Sequence, residues 1–226
     1  MRREERRFDD GAGGKVGGIV AHPDESADAP AVAVILAHGA GNDMSNPLLV
    51  AVDDGLAHAG FLSVRFNFPY KEKGRRAPDR APVLQACFRS VVEQVRAEYR
   101  PPRLFIGGKS LGGRMASHLA ADGLAVDGLL FLGYPLHPPG KLDRLRTAHL
   151  SRIAAPMLFF AGTRDPLCNL DLLRSSLASL AGRTTLHVVQ DGDHSFNVLR
   201  RTGRSVEAVR EELVNISTSW MQSAGH

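Results

Sequence analysis

The chain has 226 residues, 43% hydrophobic and 23% charged, a composition that suits a globular domain and excludes a low-complexity or disordered chain. With 28 Lys+Arg against 24 Asp+Glu the net charge is only +4, the arginines are scattered and aromatics make up 6%, so the basic, aromatic-studded face of a nucleic-acid binder is missing. No apolar run approaches the ~18 residues of a membrane span, and the mixed-charge opening MRREERRFDD is not followed by the apolar stretch of a secretory leader.

A cytoplasmic protein is therefore expected, with Cys87 and Cys168, which lack metal-ligand spacing, as free thiols. Residues 1–14 read as a charged, flexible segment and 15–226 as one domain. Within them GAGGKVGG (11–18) lacks the G-x-G-x-x-G spacing of a dinucleotide fold, and no strand precedes it; it reads as a flexible turn entering an early strand.

AVAVILAHG (31–39) is a continuous apolar run of the kind a buried parallel strand shows, followed by a helical pattern over 47–59. FLSVRFNF (61–68) is the next strand. A long helix is expected over 81–99, closed by Pro101-Pro102. RLFIGG, GLLFLGY, PMLFFAG and TTLHVVQ are four further strands, each with a loop and a helical segment after it. This alternation predicts an α/β fold: a mostly parallel twisted sheet with helices on both faces. Ligands of such sheets sit at the carboxyl ends of the strands, so each loop just after a strand is a candidate site. A last helix around 205–220 either covers the sheet or meets a second subunit; monomer and homodimer both remain open.

FIGGKSLGGRMA (105–116) offers two incompatible readings. A phosphate-binding loop needs G-x-x-x-x-G-K-[ST], but its first glycine would fall on Arg103, and Leu104, Phe105 and Ile106 read as strand. The same residues fit a G-x-S-x-G elbow, in which a serine sits on a tight strand-to-helix turn and small residues two positions away avoid clashes. Ser110 is then the candidate nucleophile, with Gly108 and Gly112 shaping the turn. A serine hydroxyl needs a base to take its proton and a carboxylate to orient that base, in the chain order Ser, Asp/Glu, His. Asp165, in the loop after PMLFFAG, and His194, in the loop after TTLHVVQ, supply them. Asp165 also reads as a turn former before Pro166. Asp191 and Asp193, on the histidine's own loop, are rival acids that read as turn residues. The Leu111 amide is expected in the oxyanion hole, together with that of Ala40 in HGAGND, a loop shaped by His38, Gly39 and Gly41.

LAHGAG, RFNFPY, GGKSLGGRMAS, LGYPLHPPGK and DGDHSF together resemble the alpha/beta-hydrolase superfamily. More narrowly they are similar to the hydrolase-like domain shared by a vertebrate testis-expressed protein, a scaffold subunit of the NSL histone-acetyltransferase complex, and bacterial dienelactone-hydrolase-like proteins. The resemblance implies the fold and no particular substrate. Dienelactone hydrolases proper place a cysteine where this chain has Ser110, so their lactone is not carried over.

Only PLHPPGKLDRLRTAHLSRIAA separates the GLLFLGY and PMLFFAG strands, room for a short helix and not a lid, so an open site is expected. His38 and the basic loop PYKEKGRRAPDR, through Lys71, Arg75 and Arg76, are candidate substrate contacts; the alternative for that loop is a solvated charged surface. The expectation is a serine hydrolase of a small ester or thioester, without metal or other cofactor and with no nucleic-acid or membrane partner. A non-catalytic scaffold, or a lactone or peptide hydrolase, is the alternative.

Overall fold

The computed structural model describes residues 1–23, 31–180 and 182–224. Eight strands form one sheet: β1 (Arg2–Asp9), β2 (Lys15–His22), β3 (Val32–Ala37), β4 (Leu62–Phe66), β5 (Arg103–Lys109), β6 (Gly128–Leu132), β7 (Met157–Gly162) and β8 (Thr184–Val189), in the spatial order β1-β2-β4-β3-β5-β6-β7-β8. β1 and β2 pair antiparallel, as do β2 and β4; every other neighbouring pair is parallel.

The apolar runs become strands because their alternate residues have an apolar layer to enter on each face. Along β3, Ala33, Ile35 and Ala37 join the core under α3 (Ala81–Tyr99), α4 (Leu111–Ala121) and α5 (Leu170–Ala178), whereas Val34 and Leu36 join the core under α1 (Pro47–His58) and α6 (Val206–Ser223). Asn46 caps α1 by accepting from the Leu48 and Leu49 amides, with Pro47 in the first turn where its missing N–H costs nothing. α6 covers the sheet: Val209, Leu213 and Met221 are buried in the second core, and Trp220 meets Phe105 edge to face at 5.7 Å between ring centroids. A four-residue helix, α2 (Pro69–Glu72), follows β4.

One expectation is corrected. Residues 2–9, read as a flexible charged segment, form β1, paired with β2 along its whole length and anchored by the buried Phe8. The charges hid it: an edge strand exposes most of its side chains and carries ionic ones, which also discourage pairing with other molecules. The 11–14 turn closes this hairpin, with Asp10 Oδ1 accepting from the amides of Ala12 and Gly14 (2.8 Å each). Between β6 and β7, where the sequence left room for no more than a short helix, the chain makes a single 3-10 turn, Leu150–Arg152.

The chain runs from β3 outward to β4 on one side and continues from β5 through β8 on the other. The loops after β3 and β5 therefore diverge, and the crevice between them is the switch point where open α/β sheets bind ligands.

Candidate active site

Ser110 stands between the last residue of β5 and the first of α4, with φ 51° and ψ −110°. A non-glycine residue pays for positive φ in steric strain, and its surroundings hold it there. The Ser110 amide donates to the Leu132 carbonyl at the end of β6 (3.1 Å), and the Arg114 amide donates back to the Ser110 carbonyl (3.0 Å). At both Gly108, itself at φ 146°, and Gly112, any Cβ would be driven into the Ala37 carbonyl at the end of β3. Glycine at these two positions lets β5 and α4 close against β3 so that the turn carrying Ser110 forms.

Asp165 and His194 meet. His194 Nδ1 donates to Asp165 Oδ2 at 2.7 Å; the carboxylate is wholly buried, while the imidazole side chain keeps 21% of its exposure. Asp165 Oδ1 accepts from the Leu167 amide (2.8 Å), so the residue both forms the turn and engages the histidine. With Nδ1 committed as the donor, Nε2 is left as the basic nitrogen, and among the described residues it has no hydrogen-bond partner. His194 lies beside the Ser110 turn. Lys109 Nζ, one residue before Ser110, donates to the His194 carbonyl (3.3 Å), and a Cβ on Gly133, next to Leu132, would come within 3.4 Å of His194 Nδ1. No hydrogen bond joins Ser110 Oγ to His194 among the described residues, a looseness common in sites without substrate. Asp193 is a turn residue: its Oδ1 accepts from the Ser195 (2.7 Å) and Asn197 (2.9 Å) amides.

The loop after β3 runs against Ser110, a Cβ on Gly39 falling 3.5 Å from Ser110 Cβ. His38 is fully buried. Its Nδ1 donates to the Gly39 carbonyl (2.9 Å) and its Nε2 accepts from the Phe68 amide (3.1 Å). Burial lowers its pKa to about 4, so it stays neutral and keeps this tautomer. The Tyr70 hydroxyl also reaches the Gly39 carbonyl, at 3.4 Å. Because a trans peptide points its C=O and N–H in opposite directions, holding the Gly39 carbonyl fixes the direction of the Ala40 N–H. Neither that amide nor Leu111's, at the first position of α4, is hydrogen-bonded among the described residues. His38 shapes this loop as expected, tying it to the segment after β4, and with both ring nitrogens occupied it has no free nitrogen for the substrate contact also expected of it.

The basic loop carries its own acids. Arg75 binds Asp79 at 2.5 Å, and Lys71 lies 4.0 Å from Asp43 in the loop after β3; Arg76 is exposed. Lys109 is buried, and desolvation pushes its pKa down while Asp165 and Asp193 oppose that shift. Sequence reasoning missed the contact Lys109 makes with His194, the part Tyr70 plays, and a second serine–histidine pair, Ser117 and His149, with Ser117 Oγ and His149 Nε2 2.7 Å apart. Nothing local marks these, since each joins residues far apart in the chain. Among the described residues no three His, Cys, Asp or Glu side chains converge so as to hold a metal ion, and no helix is long and apolar enough to cross a membrane.

Residues 30–222 match the model of a family described as an alpha/beta hydrolase domain. The chain belongs to that family. This alpha/beta hydrolase is similar in structure to XC6422 of Xanthomonas campestris, a serine hydrolase without a lid, at a TM-score of 0.76 and 24% identity over 97% of this chain and 95% of that one. It is likewise similar to a serine hydrolase homologue of Coxiella burnetii (TM-score 0.76, 20% identity, 96% and 98% covered). A dienelactone hydrolase of Anabaena variabilis has the same TM-score, 0.76, at 17% identity, with 99% and 98% covered. At these identities the likeness establishes a common fold, including the eight-stranded, mostly parallel sheet.

Proposed function

We propose that this alpha/beta hydrolase cleaves a small ester or thioester through an acyl-enzyme on Ser110. Ser110 Oγ attacks the carbonyl carbon as its proton passes to His194 Nε2, and the carbonyl oxygen takes up the negative charge, facing the amides of Leu111 and Ala40. Collapse of this intermediate breaks the bond to the leaving alcohol or thiol, which takes the proton from His194. Water then repeats the sequence with the same base, releasing the acid and restoring Ser110. Asp165 holds His194 in the tautomer that leaves Nε2 basic and stabilises the imidazolium as it forms.

The observation that carries this reading is the 2.7 Å bond from His194 Nδ1 to a wholly buried carboxylate, beside a serine held at positive φ. The short, helix-poor connection between β6 and β7 supports a substrate of modest size, because an open site offers few walls to bury a long chain. LAHGAG, GGKSLGGRMAS and DGDHSF support membership of the narrower group that includes the testis-expressed and NSL-complex domains, and two free, buried cysteines suit a cytoplasmic setting.

The test is labelling by a fluorophosphonate probe, wild type beside Ser110→Ala, with the modified peptide identified by mass spectrometry. Stoichiometric modification of Ser110, absent from the variant, is expected. A folded wild type that takes up no label would overturn the reading and direct attention to an interaction role for the domain.

A further inference from the structure

Helix α4 carries more than the residue at its start. Leu111, Arg114, His118 and Ala121, at three- and four-residue spacing, form the half-exposed stripe that faces away from the sheet. The connection between β6 and β7 lies over that stripe. His149 stacks on His118, with ring centroids 3.8 Å apart and planes 14° apart, and the Tyr134 hydroxyl donates to the Arg146 carbonyl (2.7 Å). Arg146 thereby stands on the connection that crosses α4, three residues before the His149 that stacks on His118. Burial, and after it the repulsion of Arg114, push the Arg146 guanidinium below its ordinary pKa range, with Tyr134 opposing.

Cations gather here without an acid to answer them. The Arg114 guanidinium has no hydrogen-bond or ion-pair partner among the described residues, and its Nε is buried from solvent and unsatisfied. Arg146 makes one long bond, from Nη1 to the Pro135 carbonyl (3.4 Å), and pairs with no carboxylate among the described residues. Asp122, the acid that faces this cluster, is bound by Arg152 at the far end of α4 (3.3 Å). The loop at 71–76 is the opposite case, since its Arg75 brings Asp79 with it.

Two guanidinium groups without a carboxylate partner among the described residues, one with a buried donor unused and each within reach of the other's charge, are a receptor for an oxyanion, because each offers a planar fork that a carboxylate or phosphate can fill. The Arg114 amide bonds the Ser110 carbonyl (3.0 Å), so Arg114 stands one turn beyond Ser110 on the same side of α4. Four residues separate the two along the helix, a rise of about 6 Å, which a short carbon chain between a scissile carbonyl and a terminal acid can span.

We propose that Arg114 and Arg146 form an anion subsite beside Ser110 that receives a carboxylate or phosphate on the substrate, so that the preferred substrates are short acidic esters such as dicarboxylic monoesters. This rests on the hydrolase reading of Ser110 given above. The test compares kcat/KM for p-nitrophenyl hemiglutarate and for p-nitrophenyl butyrate in wild type, Arg114→Gln, Arg114→Lys and Arg146→Gln. The acidic-to-neutral ratio is expected to fall by about tenfold or more in both glutamine variants, as for loss of a charge-assisted hydrogen bond, and to fall less in Arg114→Lys. The ratio is internal to each protein sample and so is insensitive to a change in the folded fraction. A ratio unaltered by all three substitutions overturns the subsite.

If wild type cleaves neither ester and Ser110 takes no fluorophosphonate, the hydrolase reading has failed by itself, and the subsite is then judged by binding. Glutarate or inorganic phosphate should raise the melting temperature of wild type saturably and that of Arg114→Gln not at all. Saturation by glutarate alone assigns a carboxylate, and saturation by phosphate alone assigns a phosphate. No saturable shift with either anion overturns the subsite on this route as well.

Discussion

Ser110 and Ser117 stand seven residues apart, about two helical turns, and each is near a histidine supplied by a distant loop. Ser117 is the one already hydrogen-bonded, its Oγ 2.7 Å from His149 Nε2. Yet Ser117 is fully buried inside α4 and donates its single proton to the Arg114 carbonyl (2.7 Å), so with both contacts made His149 is the donor to the serine and not its base. Among the described residues no carboxylate is hydrogen-bonded to His149. Burial first, then the charges of His118, Arg114 and Arg152, lower its pKa to about 4, which makes it a poor proton acceptor. Ser110 has the reverse surroundings: a backbone at positive φ, and a partly exposed histidine whose Nδ1 is held by a buried carboxylate and whose Nε2 is free. A short serine–histidine distance is thus a weaker sign of reactivity than the state of the histidine's other nitrogen.

The difference can be broken by experiment. The largest effect belongs to the nucleophile: Ser110→Ala should lower kcat for ester hydrolysis on the order of 10^6-fold, whereas Ser117→Ala should still be labelled at Ser110 by a fluorophosphonate. Label found on Ser117 in wild type would invert the assignment. Next come the acids. Asp165→Asn should reduce kcat by roughly 10^4-fold by disturbing the tautomer of His194, and Asp122→Asn, near His149, should change turnover little in the same steady-state assay.

A smaller effect is expected from the elbow itself. Gly112→Ala forces a methyl against the Ala37 and His38 carbonyls, and urea unfolding should show a loss of about 1–3 kcal/mol, the usual cost of overpacking, with weaker labelling of Ser110. Wild-type stability and labelling in that variant would mean that the close approach of α4 to β3 is dispensable.

The smallest effect concerns pH. His38 and His149 each have a folded pKa lowered from 6.5 to about 4, so between those values the unfolded chain binds more protons than the folded one. Their contribution is complete above pH 6.5 and is lost as pH falls toward 4, at up to about 1 kcal/mol per pH unit for each group. Asp53, buried against Ser63 and Arg65, works in the opposite sense, because burial raises its pKa from 3.8 to about 6. Urea midpoints between pH 4 and 7 should therefore decline toward acid in wild type and decline less steeply in His149→Phe. Parallel curves for the two proteins would show that His149 is not held neutral in the folded state.

Much of this architecture was legible in the chain. The apolar runs at 31–39, 103–108, 128–134 and 156–162 became strands because burial on both faces demands unbroken apolar sequence, and 61–68 and 184–190 became strands as well, the latter at the sheet edge with most of its residues half-buried. The elbow could be read because its requirements, small residues two positions either side of Ser110, are local. β1 was missed because an edge strand owes its pairing to β2 and shows alternating charges that suit solvent equally well. The part His38 plays in shaping its loop is legible from its place beside the glycines, while the bond to the Phe68 amide, 30 residues away, that occupies its second nitrogen is not.

Local spacing thus determined the α/β order, the turn carrying Ser110, and the strand-end loops that hold the candidate acid Asp165 and base His194, since backbone preference and hydrophobic period act between near neighbours. Tertiary structure decided which charges found partners: Arg75 closes on Asp79 and His194 on Asp165, whereas Arg114 and Arg146 have no carboxylate partner among the described residues. Those outcomes depend on distances between groups remote in the chain, and Coulomb and hydrogen-bond energies take their values only once packing has set those distances.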